Sequence, residues 1–358
     1  MTLILNRRLL LGGAAAAAAL GGIRPIMAEE PLKIGFVYVG PVGDHGWSYQ
    51  HDQGRLAVEK EFGEKVKTSF VENVSEGPDA ERVIRQLASS GHELIFTTSF
   101  GFMNATARVA KQFPKVKFEH ATGYTRAANL ATYDGRFYEG RCVIGTIAGR
   151  MTKTNKIGYI GSFPIPEVVQ GINAFTLAAR KVNPDVEVRV IWASTWYDPG
   201  KEADAAKAHI DQGADIIVQH TDSPAALQVA EERGLMAFGQ ASDMSKFAPN
   251  AQLTAIVDNW SPYYIKRVQA VLDGSWKSHA VWLGLKDGEV AIAPYGPKVP
   301  PEVAAEADEV QQAIIAGTRH PFDGPITDRD GKERAPAGRH LTDEELTKMD
   351  WYVPGVQG

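Results

Sequence analysis

The stretch that decides the fold is KIGFVYVGPVGDHGWSYQ, residues 33–50. Its first part, residues 33–39, is a short run of apolar and β-branched residues, which is typical of a buried strand. Glycine and proline then crowd residues 40–46, which predicts a turn. Trp47 follows that turn at the start of a predicted helix. A strand, a turn and a helix in this order begin a βαβ unit, so the stretch predicts an α/β fold with a parallel sheet.

The same alternation of strand and helix patterns runs through the rest of the chain. Further apolar, β-branched runs lie at residues 67–74, 93–98, 116–120, 156–161, 186–193, 215–219 and 236–239. Helices are predicted over residues 80–90, 103–112 and 201–212, and each stops at a glycine or before a proline. Strands fall on both sides of a break near residues 151–155. We therefore predict two doubly wound parallel-sheet lobes joined by a multi-strand hinge.

Each predicted lobe is formed by two separate segments of the chain. We assign residues 32–152 plus about 255–278 to the N-terminal lobe, and residues 153–254 plus about 279–318 to the C-terminal lobe. Residues 319–358 are rich in proline, glycine and charge, and we expect them to wrap the surface, with one short helix that begins at a Thr342 cap. Ligands of open α/β sheets bind beyond the carboxyl ends of the strands, so two facing lobes predict one shared cleft.

The first residues have the pattern of an export signal. Arg7 and Arg8 precede an apolar, alanine-rich run over residues 9–22, and Ala28 stands before two glutamates. We predict that residues 1–28 are a signal peptide cleaved near Ala28, and the paired arginines favour the twin-arginine route over the Sec route. A membrane anchor is the alternative, but it would need a run of ~20 strongly apolar residues.

Charge and cysteine usage narrow the class of protein further. The formal net charge is -5, and loss of the three arginines in residues 1–28 would make it more negative, which argues against a nucleic-acid partner. Cys142 is the only cysteine, so the chain forms no internal disulfide and carries no cysteine for lipid attachment near residue 28. We expect a soluble, monomeric protein of the periplasm with no lipid anchor.

Several segments resemble, in order, motifs of the basic membrane protein (BMP) family of ABC-importer substrate-binding proteins. They are the Gly-Asp-x-Gly turn within residues 33–50, the strand 153–161, the aromatic loop 194–201, the strand start 213–215 and the Gly-x-x-x-Asp loop 239–243. The resemblance extends from residue 32 to about residue 298. It implies a type I periplasmic-binding-protein fold that closes on a purine nucleoside or nucleobase and delivers it to an ABC permease in the inner membrane.

One position departs from the family pattern. Where the family commonly carries a lysine after its Leu-Thr-x-x-Val strand, this chain has Asp258. Lysine only donates hydrogen bonds and an ionised carboxylate only accepts them. The edge of the ligand that meets Asp258 should therefore be a donor, and we expect a free base such as adenine in preference to a nucleoside.

The candidate ligand-binding residues are aromatic or acidic and follow predicted strands at the cleft. Trp47 and Trp196 are expected to sandwich a planar ring, Phe100 and Phe102 to form an aromatic wall, and Asp222, Asp243 and Asp258 to accept hydrogen bonds from ring N–H and NH₂ groups. Asp44 is expected either to contact the ligand or to cap the helix that follows it. Each has a structural alternative: the aromatic residues in core packing, the acids as solvated surface groups.

The sequence lacks the common motifs of enzymes. The chain has no Walker loop, His-Glu-x-x-His or Gly-x-Ser-x-Gly sequence, and its nine histidines lack metal-ligand spacing, which we take to mean that they lie on the surface. We therefore expect no enzyme activity, metal or cofactor. Two alternatives stay open at this point: a binding protein that serves a chemoreceptor or sensor kinase, and a nucleoside hydrolase that uses the carboxylates of the cleft.

Overall fold

The computed structural model describes residues 30–43 and 45–358. The predicted signal peptide, residues 1–28, and the candidate site residue Asp44 lie outside the described residues. No helix in the described part of the chain is both long and apolar enough to cross a bilayer.

The first half of the described chain alternates strands and helices. In order, these elements are β1 (Leu32–Val37), α1 (Trp47–Phe62), β2 (Val66–Val71), α2 (Pro78–Ser89), β3 (Leu94–Thr97), α3 (Met103–Gln112), β4 (Lys117–Ala121), β5 (Leu130–Gly135) and α4 (Phe137–Met151). A 3₁₀ turn over Phe100–Phe102 precedes α3. The α3 bounds match the helix predicted over residues 103–112, whereas β5 was missed from the sequence.

The second half repeats the alternation before it turns irregular. Its elements are β6 (Lys156–Gly161), α5 (Pro166–Val182), β7 (Glu187–Trp192), α6 (Pro199–Asp211), β8 (Ile216–Gln219), α7 (Ala225–Glu232), β9 (Met236–Gly239), β10 (Gln252–Asp258), α8 (Ser261–Leu272), β11 (Ala280–Leu283), β12 (Val290–Ile292), α9 (Pro301–Ile315), β13 (Ile326–Thr327), β14 (Glu333–Ala335), α10 (Asp343–Leu346) and β15 (Val356–Gln357).

The first lobe is built on a six-stranded sheet in the order β11-β5-β4-β3-β1-β2, and its strand pairs are parallel. Successive side chains of a strand point to opposite faces, so Phe36 and Val37 enter different cores. Phe36 packs with residues of α1 and α8, and Val37 packs with residues of α2 and α3. Helices thus cover both faces of this sheet, as the continuous apolar strands predict.

The second lobe is built on a seven-stranded sheet in the order β12-β10-β9-β8-β6-β7-β15. Its pairs are parallel except for β10 with β12, which is antiparallel. Helix α4 packs against α5 and α9, and α6 packs against α7. Two α/β lobes with parallel sheets are the fold class predicted from the sequence.

The chain crosses between the two sheets at three places. It leaves the first sheet after β5, returns after β10 and leaves again between β11 and β12. Two of the predicted lobe boundaries are therefore wrong. Residues 255–258, assigned to the first lobe, complete β10 in the second sheet, and β11, assigned to the second lobe, pairs with β5 in the first sheet. The apolar pattern of these residues predicts strands, but it does not indicate which of the two sheets each strand joins.

The C-terminal segment 319–358 is tied to the second lobe. The buried amide of Asn173 donates to the Trp351 carbonyl at 2.8 Å and accepts from the Val353 N–H at 3.0 Å. Strand β15 then joins the sheet edge beside β7. The predicted Thr342 cap is present: its hydroxyl accepts from the Glu345 N–H, and the Glu345 carboxylate accepts from the Thr342 N–H in return.

Candidate ligand-binding site

A cavity lies between the two lobes, where the carboxyl ends of both sets of strands meet. Its empty volume, which includes the space open to solvent, is about 340 Å³. The lining residues are Val39, Trp47, Ser99, Phe100 and Thr122 from the first lobe and Glu167, Trp196, His220, Asp222 and Gln240 from the second. The cavity therefore brings together four of the predicted candidates, which come from both lobes: Trp47, Phe100, Trp196 and Asp222.

Trp47 is held in place by the first lobe. Its indole Nε1 donates to the Thr98 carbonyl at 2.6 Å, and its ring meets Trp260 and His51 edge to face, with centroid distances of 5.5 and 4.4 Å. The preceding Gly46 has φ 82°, and a Cβ there would collide with the Asp222 carbonyl oxygen of the other lobe. Glycine at this turn therefore allows the two backbones to meet beside the cavity.

Trp196 lies in the loop between β7 and α6, and its indole bridges the lobes. Nε1 donates to Oε1 of Glu76, in the loop after β2, at 3.0 Å. The same oxygen accepts from the Ser99 hydroxyl at 2.6 Å and from the Gly101 N–H at 3.0 Å. Glu76 thus links an indole of the second lobe to two donors of the first, and sequence reasoning missed it.

Other hydrogen bonds also join the lobes around the cavity. The Gly46 N–H donates to the Ser242 hydroxyl at 2.6 Å, and the Gln50 amide donates to the Asp258 carbonyl at 2.9 Å. Together with the Trp196 to Glu76 bond, they hold the lobes in contact. The structure is therefore that of a closed cleft.

The second lobe supplies the ionisable groups of the cavity. Glu167, in the first turn of α5, lies with Oε1 3.2 Å from Nε2 of His220. Burial raises the pKa of Glu167 to about 7, although the nearby Arg141 guanidinium opposes the shift. Burial also holds the pKa of His220 well below its usual value, and Arg141 adds to that effect. His220 is therefore neutral at neutral pH.

Asp222 follows β8 and faces the same cavity. Burial, and then the neighbouring carboxylate of Glu202, raises its pKa well above the usual value. The backbone N–H of Trp47 acts in the opposite direction, through a hydrogen bond to the Asp222 carboxylate. A donor from a ligand would add to that bond and favour the ionised form.

Gln240, which follows β9, supplies an amide to the cavity wall. Its Oε1 accepts from Nη2 of the buried Arg141, whose Nη1 donates to the Gln219 carbonyl at 3.0 Å. The Arg141 guanidinium also lies over the Tyr159 ring, 5.5 Å from its centroid. Arg141 thus stands behind the cavity wall and orients the amide in it.

Asp258 does not line the cavity, which corrects the sequence prediction. It is the last residue of β10, where the chain crosses to the first lobe, so its side chain is buried in the hinge. Its carboxylate oxygens, and those of Glu289 on the next crossing, have no hydrogen-bond partner among the described residues. Burial, then the Glu167 carboxylate, raises the pKa of Asp258 well above its usual value.

Two other candidates also lie away from the cavity. Phe102 is fully buried in the core between the first sheet and its α2 and α3 helices, because the 3₁₀ turn directs it inward while Phe100 faces the cleft. Asp243 is used locally: its Oδ1 accepts from the Ser245 N–H at 2.9 Å and from the Gln252 amide at 2.8 Å. The predictions for Phe102 and Asp243 are therefore wrong.

Sequence reasoning missed three of the four polar side chains that the second lobe contributes to the cavity, Glu167, His220 and Gln240. Glu167 follows two prolines at the start of α5, and only the presence of an acid at a helix N-terminus after a strand could have indicated it. His220 follows β8 next to the predicted Asp222, but the histidines were expected on the surface. That expectation is wrong for His51, His120, His209 and His220, which are buried. The described residues contain no group of ligating side chains suited to a metal ion.

Comparison with known proteins identifies the family. The sequence model of the PnrA-like ABC transporter substrate-binding proteins (Bmp) matches residues 32–319. A purine-binding protein of Brucella abortus (strain 2308) is 59% identical over 92% of this chain and 94% of its own length. A Haloferax volcanii protein, named as a proposed ABC transporter glucose-binding protein, is 38% identical over 92% of this chain and 81% of its own length.

The fold has close counterparts among solved structures. An ABC transporter solute-binding protein from Aeropyrum pernix K1 superposes with a TM-score of 0.71 at 19% identity, over 84% of this chain and 95% of that one. The resemblance predicted from residues 33–50 onward is confirmed, as is the type I periplasmic-binding fold that it implies. This chain therefore belongs to the PnrA-like family of ABC transporter substrate-binding proteins.

Proposed function

We propose that the cleft captures a purine base, adenine in first place, for delivery to an ABC permease. The observation that carries this proposal is a single cavity lined by an indole from each lobe, Trp47 and Trp196, and by the carboxylates of Glu167 and Asp222. The 59% identity to a protein named as purine-binding supports the same class of ligand.

The two indoles account for the choice of a planar ring. Stacking of a base on an aromatic side chain is worth roughly 1 to 3 kcal/mol. Because Trp47 and Trp196 come from different lobes, a ring between them meets both indoles only when the cleft is closed. The ligand then binds the closed state better than the open one, which is the condition for closure on binding.

The carboxylates account for the choice of an amino-purine. Ionised Glu167 and Asp222 only accept hydrogen bonds, so the ligand edge that faces them must donate. The exocyclic amine of adenine is such a donor. Adenine is thus retained from the sequence analysis, with Asp222 in the acceptor role predicted for it and Glu167 in the place of Asp258.

A nucleoside is the second candidate, and one feature favours it. A groove next to the cavity shares Phe100, Thr122 and Glu167 with it and continues past Tyr124 and Trp282. A sugar attached to the base would have room there. The base would occupy the same place in either case.

We further propose that the protein is exported by residues 1–28, acts in the periplasm as a soluble monomer, and docks on an inner-membrane permease. A receptor that reports to a sensor instead of a transporter would bind the same ligand. Deletion of the permease gene separates the two roles, since it abolishes uptake of labelled adenine only in the first case.

Calorimetry with a ligand panel tests the proposed function. The panel contains adenine, guanine, hypoxanthine, xanthine, urate and the matching nucleosides, with glucose included because a relative is named for it. We expect adenine to bind most tightly and glucose not to bind. Tight binding of glucose, or binding of no purine, would reject the proposal. Chromatography of nucleosides left with the protein should show no free base, whereas release of base would indicate a hydrolase.

A further inference from the structure

The side-chain amide of Gln240 uses only its oxygen in hydrogen bonds with the described residues. The residue is 4% exposed and lines the cavity, and its Oε1 accepts from Nη2 of Arg141. Its Nε2 makes no hydrogen bond with any described residue. This N–H group is therefore available to an acceptor atom in the cavity, which the residue lines.

Arg141 decides which half of the amide faces the cavity. A guanidinium carries only donors, so it can bond the oxygen of Gln240 but not the nitrogen. Arg141 itself is 1% exposed and is fixed by its bond to the Gln219 carbonyl at 3.0 Å and by its contact with the Tyr159 ring. The amide therefore cannot turn over without leaving the Arg141 donor unpaired.

The other polar side chains of the cavity do not offer a comparable donor. Glu167 and Asp222 only accept when they are ionised. The hydroxyl of Ser99 donates to Glu76, and that of Thr122 donates to the Ala121 carbonyl. Opposite an ionised Glu167, Nε2 of His220 carries the proton and its Nδ1 is an acceptor.

We propose that Gln240 determines specificity by donating from Nε2 to an acceptor atom of the ligand, and that Arg141 positions it for that role. This inference rests on the proposed purine ligand and adds one requirement to it. The ligand must present a hydrogen-bond acceptor next to its donor edge. In adenine the ring nitrogens beside the exocyclic amine meet that requirement, so a carbon in the place of one of them should be penalised.

A double-mutant cycle, with one change in the protein and the other in the ligand, tests the contact between Gln240 and the ligand. Adenine and its 1-deaza, 3-deaza and 7-deaza analogues are titrated by calorimetry into the unsubstituted protein and into Gln240→Leu. We expect one analogue to bind the unsubstituted protein at least tenfold more weakly than adenine, and we expect Gln240→Leu to bind that analogue and adenine within about twofold of each other, since each side of the contact is worth about one hydrogen bond.

Three further variants separate positioning from general damage to the fold. Arg141→Met should weaken adenine binding and reduce the penalty against the same analogue, because the amide is then free to turn. Gln240→Glu is compared with Gln228→Glu, which makes the same change at an exposed position of the same lobe. Gln240→Glu places an acceptor where the donor stood and should weaken adenine binding at least tenfold, while Gln228→Glu leaves it unchanged.

The outcomes distinguish this inference from the function on which it rests. If the unsubstituted protein binds adenine but binds the three deaza analogues equally well, or if Gln240→Leu retains the full penalty, the Gln240 contact is wrong and the purine site stands. If the unsubstituted protein binds no purine, the proposed function fails and this inference fails with it.

Discussion

The two walls of the cavity differ in chemistry. The first lobe contributes Val39, Trp47, Ser99, Phe100 and Thr122, none of which is ionisable at neutral pH, whereas the second contributes Glu167, Trp196, His220, Asp222 and Gln240. The first wall can hold a flat ring only by its face, whereas the second adds the Trp196 indole and the polar groups that can read the edge of that ring. Selectivity of binding should therefore respond to changes of the polar side chains in the second lobe, and strength to changes of the indole in either lobe.

The two walls are also supported differently. Behind Trp47 lie the aromatic rings of Trp260, His51 and Phe137, so the first wall is held by packing. Behind the second wall lie Arg141 and a buried carboxylate, Glu202, so it is held by hydrogen bonds and charge. A change of an indole should weaken every purine alike, and a change of a polar side chain in the second wall should alter their order.

Removal of the first-wall indole should have the largest effect. Trp47→Ala should weaken all purines of the panel by roughly tenfold to a hundredfold, from the loss of about 1 to 3 kcal/mol of stacking. Trp47→Phe keeps a stacking face and should lose much less. Calorimetry on both variants measures this, and a loss confined to one purine would contradict the division between the walls.

Acidification should weaken binding through the second wall. The pKa of Glu167 is raised to about 7 by burial, and a donor ligand binds its ionised form. Protonation therefore competes with the ligand, so adenine should bind about tenfold more weakly at pH 6 than at pH 8. Glu167→Gln should reduce this dependence between pH 6 and pH 8, and Asp222, whose pKa burial also raises, supplies what remains. An unchanged slope in that variant would show that Glu167 does not face the ligand.

Loss of the bond between the lobes should have a smaller effect. Trp196→Phe keeps an aromatic face but removes the hydrogen bond to Glu76, and it should weaken adenine binding by roughly threefold to tenfold, about one hydrogen bond. Trp276 is a matched control, because its Nε1 donates to Glu119 at 2.7 Å within the first lobe. Trp276→Phe should lower thermal stability without changing affinity. If Trp196→Phe and Trp276→Phe lost equal affinity for adenine, the hydrogen bond between the lobes would not explain the loss.

The parts of this fold that sequence could predict are those with local causes. Apolar runs bounded by glycine and proline located β1 and α3, and the Thr342 cap located α10. Strand β5 was missed because its sequence, LATYDG, mixes small, polar and glycine residues, and it owes its burial to the strands on either side.

The parts of the site that sequence could not predict depend on where the chain lies in three dimensions. Asp258 follows a strand, as a cleft residue should, but that strand ends in the hinge. Phe100 and Phe102 are two residues apart, and a 3₁₀ turn sends only the first to the cavity. The amide of Gln240 is oriented by Arg141, which lies far from it in sequence.

A crystal structure of the protein with adenine tests the central claim most directly. We expect the ring between Trp47 and Trp196, with its amino group directed at Glu167 or Asp222 and a ring nitrogen at the Gln240 amide. A ring bound outside this cavity, or an amino group directed at the first-lobe wall, would contradict the account.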